Sequence, residues 1–162
     1  MRVLGIDPGY DRLGIAVIEG EREQPILIFS KCIETQKTEK FSKRLHAVVH
    51  ALKKAIEEHR PDEVSIEEIF FSKNQKTAMS VAHVRGAILY LLEELGVPFT
   101  EYNPSAIKIA ITGEGRAEKR QVIDMLQKLI RIPNTDILDD EYDAIAVAIT
   151  HLASTKISPR YQ

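Results

Sequence analysis

Four carboxylates stand where they could bind metal together: Asp7, Glu67 and, three residues apart, Asp140 and Asp143. Taken singly, each has a plainer use. An Asp before Pro-Gly serves a turn, Glu67 could be a surface charge, and acids in a helix's first turn are favoured by its dipole. Taken together on apolar elements, they repel one another and need positive charge to stay ionised. Magnesium would supply that charge. Hard oxygen ligands suit Mg²⁺, or Mn²⁺ in its place, and no Cys/His cluster with zinc spacing competes. Two such ions, about 3.5–4 Å apart, would activate a water and stabilise the departing oxygen of a phosphodiester in an in-line displacement. The chemistry implied is metal-assisted phosphodiester hydrolysis, with no covalent intermediate.

Such a site needs elements that bring residues 7, 67, 140 and 143 to one place. Arg2 to Asp7 reads as a short apolar strand, Pro8-Gly9 as a turn, Leu13 to Ile18 as a second strand and Pro25 to Ile33 as a third, an antiparallel meander. The period then changes: Phe41, Leu45, Val48, Val49, Leu52 and Ile56 mark an amphipathic helix ending near Arg60-Pro61. A fourth strand follows over Glu63 to Ile69. A second long helix carries Val81, Val84, Ile88, Leu92 and Leu95 and stops at Gly96, and a fifth strand runs from Val97 to Tyr102. Helices are expected over Ala106 to Ile111, about Ala117 to Ile130 and about Asp140 to Ala153. The expected fold is α/β, a five-stranded mixed sheet with helices on both faces.

Right-handed crossover places the fourth strand parallel to the first and beside it. Asp7 and Glu67 would then emerge at the same sheet edge. Alternation puts Val3, Gly5 and Asp7 on one face of their strand and Ser65 and Glu67 on one face of theirs, with small residues behind both acids to admit a site or a close-packed helix. Asp140 and Asp143 share a helical face, followed by the apolar run Ala144 to Ile149 that must pack on something. The sheet edge is the expected target. Asp139 offers an i, i+4 alternative to Asp140 as partner of Asp143. Glu68 neighbours Glu67 but falls on the opposite face, with Val64 and Ile66.

The chain of 162 residues, 44% hydrophobic and 28% charged, fits one globular domain over residues 1–155 followed by a short basic tail, 156–162. No apolar stretch approaches the roughly 20 residues that span a bilayer, and the N-terminus runs into a strand and not a leader. A cytoplasmic protein is expected. The lone Cys32 lies in an apolar strand and reads as a reduced, buried side chain. A net charge of −2 argues mildly against a nucleic-acid partner. Yet from Phe70 to Leu92 there is no acid while Lys73, Lys76 and Arg85 appear, and the tail adds Lys156 and Arg160. Charge segregated in this way could form a basic binding face, or only solvated helix surfaces.

Four ordered segments, Leu4-Gly5-Ile6-Asp7-Pro8-Gly9, Ile66-Glu67-Glu68-Ile69-Phe70, Gly113-Glu114-Gly115-Arg116-Ala117-Glu118-Lys119 and Asp140-Glu141-Tyr142-Asp143-Ala144, resemble the RuvC family of crossover-junction endodeoxyribonucleases in order and spacing. The resemblance runs over nearly the whole chain. It implies a ribonuclease H-like fold and a homodimer that nicks two opposing strands of a four-way (Holliday) DNA junction symmetrically. It also implies Mg²⁺ dependence, a short cognate sequence, and partnership with the RuvA–RuvB branch-migration complex in recombination and repair. By the same resemblance, Asp7, Glu67, Asp140 and Asp143 are the catalytic acids and metal ligands, and Lys108 and Lys119 support DNA binding or catalysis near the scissile phosphate.

Phe70 resembles the aromatic that the family presents to the junction, where stacking on a base contributes about 1–3 kcal/mol; Phe71 is the competing choice. Lys73 and Lys76 lie in the polar, basic segment beside it. Arg85 and His83 would sit on a helix facing DNA or a dimer partner, with the helical region 76–95 as the expected dimer contact. Two other functions compete. Actin-like ATPases and sugar kinases also begin with Gly-Ile-Asp-x-Gly, but they need two related domains that 162 residues cannot hold. A non-catalytic junction-binding protein would find four placed carboxylates a liability, since uncompensated acids repel phosphate.

Overall fold

The computed structural model describes residues 1–68, 75–132 and 136–154, with the backbone alone for 75–78. Five strands, β1 (Arg2–Asp7), β2 (Arg12–Glu21), β3 (Gln24–Glu34), β4 (Glu63–Glu67) and β5 (Phe99–Tyr102), form one sheet in the order β3-β2-β1-β4-β5. β1, β2 and β3 make the antiparallel meander, while β1–β4 and β4–β5 pair in parallel. Each parallel step is reached through a helix, α1 (Phe41–His59) before β4 and α2 (Gln75–Leu95) before β5. The chain then adds α3 (Pro104–Thr112), α4 (Lys119–Leu129) and α5 (Asp139–Ser154).

Strand alternation divides the core into two layers. Leu4, Ile6, Ile15, Val17, Val64 and Ile66 pack with Val48 and Leu52 of α1 and Val84 and Ile88 of α2. Val3, Ala16 and Ile18, on the other face, pack with Ile107, Leu126, Ile145 and Ala148 of α3, α4 and α5. The mixed sheet with helices on both faces is therefore as expected, and the period-2 pattern of β1 is what separates the layers. Val17/Ile18 mark a register irregularity between β2 and β3, so Phe29 joins one layer and Leu27 the other.

Helix and strand ends differ from the sequence reading where local hydrogen bonds decide them. α1 ends where expected, with Arg60 in the left-handed region, its N–H donating to Ile56 O at 2.8 Å, one residue before Pro61, but other ends shift. β5 begins at Phe99 and not at Val97, because the Val97 N–H is spent closing α2 on Leu92 O. α3 begins two residues before Ala106, at Pro104, since the Asn103 side chain accepts the Ala106 N–H and Pro suits the first helical position. α4 begins at Lys119, because Glu118 and Gln121 form a capping box. Cys32 is half-buried and not buried; burial, first, and the nearby Asp140 and Glu34 charges push its thiol up to about 12, so no reactive thiolate forms. No helix among the described residues is long and apolar enough to cross a membrane.

Candidate active site

β1 and β4 run parallel with Gly5 opposite Ser65 and Ile6 opposite Ile66, so one step further on Asp7 and Glu67 leave the sheet side by side at its carboxyl edge. Both lie on the face that α5 covers. Gly5 is what allows α5 to come so close: a Cβ there would stand 2.1 Å from Ala144 O and 2.9 Å from Ala148 Cβ. Gly14, opposite Asp7 on β2, makes the second close approach, with its notional Cβ 1.9 Å from Asp140 O. Buried Ser65, the other small residue behind the acids, leaves its Oγ without a hydrogen-bond partner among the described residues. α5 therefore sits on backbone at two places, its first turn on Gly14 and its later turns, through Ala144 and Ala148, on Gly5.

Further contacts hold α5 along its length. Glu141 accepts from Ser30 Oγ of β3 at 2.6 Å and from the Leu138 N–H at 3.3 Å, fixing the N-terminus of the helix. At the other end the buried His151 has its ring nitrogens 2.9 Å from Glu63 Oε2 and 3.0 Å from Tyr102 Oη. Beyond Asp7, the turn is held by Arg44, a buried α1 residue whose guanidinium bonds Asp11, Tyr10 O and Thr35 Oγ1 and stacks over the Tyr10 ring.

In this frame Asp7, Glu67, Asp140 and Asp143 come within electrostatic reach of one another. Burial, first, and then the charges of Glu67, Asp143 and Asp140 raise Asp7 well above the usual carboxylate range. Burial and Asp143 push Glu67 up to about 7, and burial likewise raises Asp143. Asp139 takes a different place. Its side chain is 67% exposed and meets Lys119 at 3.3 Å, with its charge reaching Asp143, whereas that of Asp140 is 21% exposed, stands 3.6 Å from Arg12 and acts on both Asp7 and Asp143. Glu68 acts on Arg85 across the sheet, as its opposite alternation requires.

Lys119 donates to Asp143 Oδ2 at 2.9 Å, and its charge also reaches Asp7 and Glu67. Lys108 reaches Glu67. Arg85 is elsewhere: its Nε and Nη2 donate to the two Glu101 oxygens of β5 at 2.7 and 2.6 Å, with its side chain 38% exposed. His83 leans on Phe41. Phe70, Phe71 and Lys73 lie outside the described residues, as do the side chain of Lys76 and the tail 156–162. Sequence reasoning missed Arg12, whose Nη1 stands 3.6 Å from Asp140 Oδ2. The available signal was its place two residues before Gly14, on the same strand face.

The pattern of crossover junction endodeoxyribonuclease RuvC matches residues 3–151. The chain is 42% identical over 151 residues to a protein of that name from Petrotoga mobilis, covering 93% of each, and 40% identical to one from Brevibacillus brevis, covering 93% of this chain and 91% of that protein. This chain belongs to the RuvC family. Its structure superimposes on Thermus thermophilus RuvC in complex with a Holliday junction substrate with a TM-score of 0.87 at 30% identity, over 93% of this chain and 92% of that one. The fold is thus the ribonuclease H-like fold of RuvC, and the reading as an actin-like ATPase fragment falls with that match.

RuvC-family nucleases are metal-dependent, and the donor set here fits a hard divalent cation. All four side chains are carboxylates, and the raised acids mark a deficit of positive charge that Lys119 and Arg12 do not make good. Among the described residues no three of them are already drawn to metal-ligand spacing; two of the four are held by cations of the chain itself. The electrostatics set the sign of a pH effect. Between the ordinary value of 4.5 and about 7, folded Glu67 binds more proton than the unfolded chain does, so stability falls as pH rises through that window. Without divalent cation, Tm should drop between pH 5 and 7.5, and Mg²⁺ should restore it most at the upper end. A Tm that rises over this range, or ignores Mg²⁺, would remove the case for strained acids.

Proposed function

We propose that this protein is a Mg²⁺-dependent endonuclease that resolves four-way DNA junctions by symmetric nicking of two opposing strands. The observation that carries the reading is the convergence of Asp7, Glu67, Asp140 and Asp143 at one sheet edge in a RuvC-family chain. In this reading the four acids are the ligands of two Mg²⁺ ions, which Mn²⁺ can replace. When bound, those ions supply an activated water and charge neutralisation at the scissile phosphate. Asp7 and Glu67 stand on rigid strands and Asp140 and Asp143 on a helix locked to the sheet, which suits a site that must hold its geometry. Lys119, beside Asp143, and Lys108, whose charge reaches Glu67, would draw the phosphodiester toward a centre that otherwise repels it.

The same proposal extends to a homodimer, one active site for each cut strand. An exposed face of α2 supports it: Met79 and Tyr90 are 61% and 70% exposed, His83 lies between them, and Gly86 has open space where a Cβ would be. These residues recur at helical spacing and would admit a second helix at close range. One nuclease domain over 1–155 rests on chain length, and Lys73, Lys76 and Arg85 as DNA contacts rest on the acid-free basic stretch from 70 to 92. Phe70 as a DNA contact and partnership with RuvA–RuvB follow the family resemblance, and a cytoplasmic site of action suits it.

The test is a synthetic four-way junction incubated with purified protein. With Mg²⁺ it should yield paired nicked duplexes, and with the metal chelated it should be bound but uncut. Binding without cutting, across metals and central sequences, would favour a non-catalytic junction-binding protein instead.

A further inference from the structure

Arg12 is the cation beside the acids that the proposed mechanism leaves without a task. It opens β2, two residues before Gly14, which is paired with Asp7. Residues two apart on a strand share a face, so Arg12 projects from the active-site face just beyond Asp7. Lys119 and Lys108 stand on other elements, α4 and α3: Lys119 is 2.9 Å from Asp143 Oδ2 and its charge reaches Asp7 and Glu67, and that of Lys108 reaches Glu67. Arg12 beside Asp140, and the two lysines beside Asp143 and Glu67, thus bring positive charge to different members of the acidic set.

Its present partners do not use Arg12 fully. Nη1 is 3.6 Å from Asp140 Oδ2 and Nε is 3.7 Å from Glu34 Oε1, both beyond hydrogen-bond length, and the side chain is half exposed. Exposed ion pairs of this kind contribute little to stability, so a structural role accounts poorly for a guanidinium placed here. Five N–H donors in a planar fork suit bidentate recognition of a phosphate. A backbone whose scissile phosphate sits at the four acids brings neighbouring phosphates to either side of them. Those phosphates need cations, because the acids repel them.

We propose that Arg12 binds a backbone phosphate of the junction on the β2 side of the cleavage site, as the counterpart of Lys119 and Lys108. The proposal rests on the junction-cleaving function argued above and adds a residue and a side to it. It makes Arg12 a positioning contact for DNA, independent of base identity.

The experiment measures junction affinity with metal chelated, between 50 and 200 mM salt, for wild type, Arg12→Gln, Arg12→Lys and Lys53→Gln. Each phosphate contact contributes about 0.9 to the slope of log K against log salt. Arg12→Gln should therefore lower the slope by about one, so that its affinity loss across this fourfold range is roughly 3-fold smaller than that of wild type. Arg12→Lys should restore the slope. Lys53→Gln should not change it, since Lys53 lies on α1, behind the sheet from the acids. Wild-type binding with an unchanged slope in Arg12→Gln overturns the proposal alone; a changed Mg²⁺ requirement in that case makes Arg12 a partner of Asp140 only. A wild type that shows no salt-sensitive junction binding overturns the junction reading, and this proposal with it.

Discussion

Asp7→Asn is expected to abolish cleavage of a four-way junction while leaving junction binding near wild type. The two side chains are isosteric, and among the described residues Asp7 makes no salt bridge whose loss would loosen β1; its environment is set by burial, by three other acids and, opposing them, by the charge of Lys119. Removing its charge relieves repulsion in the metal-free protein and takes away a ligand from the loaded one. Metal-assisted stabilisation of the transition state amounts to several kcal/mol, and each 1.36 kcal/mol is a factor of ten. The cleavage rate should fall on the order of 10³-fold or more. Because repulsion is relieved, Tm without Mg²⁺ should hold or rise, which separates this outcome from misfolding. Equal loss of binding and cleavage would make Asp7 a structural residue. Cleavage within a few-fold of wild type would remove it from the metal site.

The second large effect is expected from a residue with no functional group. Gly14→Ala places a methyl 1.9 Å from Asp140 O and 2.6 Å from its carbonyl carbon, contacts that no rotamer can relieve because both partners are backbone. Either β2 or the first turn of α5 must move. Overpacking of this kind costs typically about 1–3 kcal/mol, visible as a lower Tm. The functional loss should exceed what that instability explains, since the turn that moves carries Asp140, and Asp143 lies one turn further along. Folded Gly14→Ala, compared at a temperature where it is native, should cut slowly with nearly unchanged junction affinity. Unchanged stability and cutting would mean that α5 is not seated on β2 as described. Gly5→Ala, facing Ala144 and Ala148, should behave alike in stability but disturb Asp140 less, being further along the helix.

These two substitutions also separate what was legible in the residues from what was not. Asp7 and Glu67 could be paired in advance because strand alternation and right-handed crossover are local rules: they place both acids on one face of adjacent parallel strands, and the register Gly5–Ser65 agrees. The two-layer core followed from the same alternation. Helix ends were less legible where a single hydrogen bond decides them, as at Asn103, which starts α3 two residues early.

Choosing Asp140 over Asp139 was beyond spacing alone, since both can pair with Asp143 on a helix. The seating of Asp140 O against Gly14 leaves the Asp140 side chain 21% exposed with its charge reaching Asp7, and the Asp139 side chain 67% exposed beside Lys119, which favours Asp140. The place of Arg12 was likewise decided by a distant partner, Asp140, 128 positions further along the chain. Composition shows that such cations exist, but their partners depend on which elements pack together. By itself, then, the sequence determined the strand alternation, the helix stripes and the acid types of the site. Which of Asp139 and Asp140 is the more covered, and which cations stand beside the acids, came only with the packing, because they depend on contacts between segments far apart in the chain.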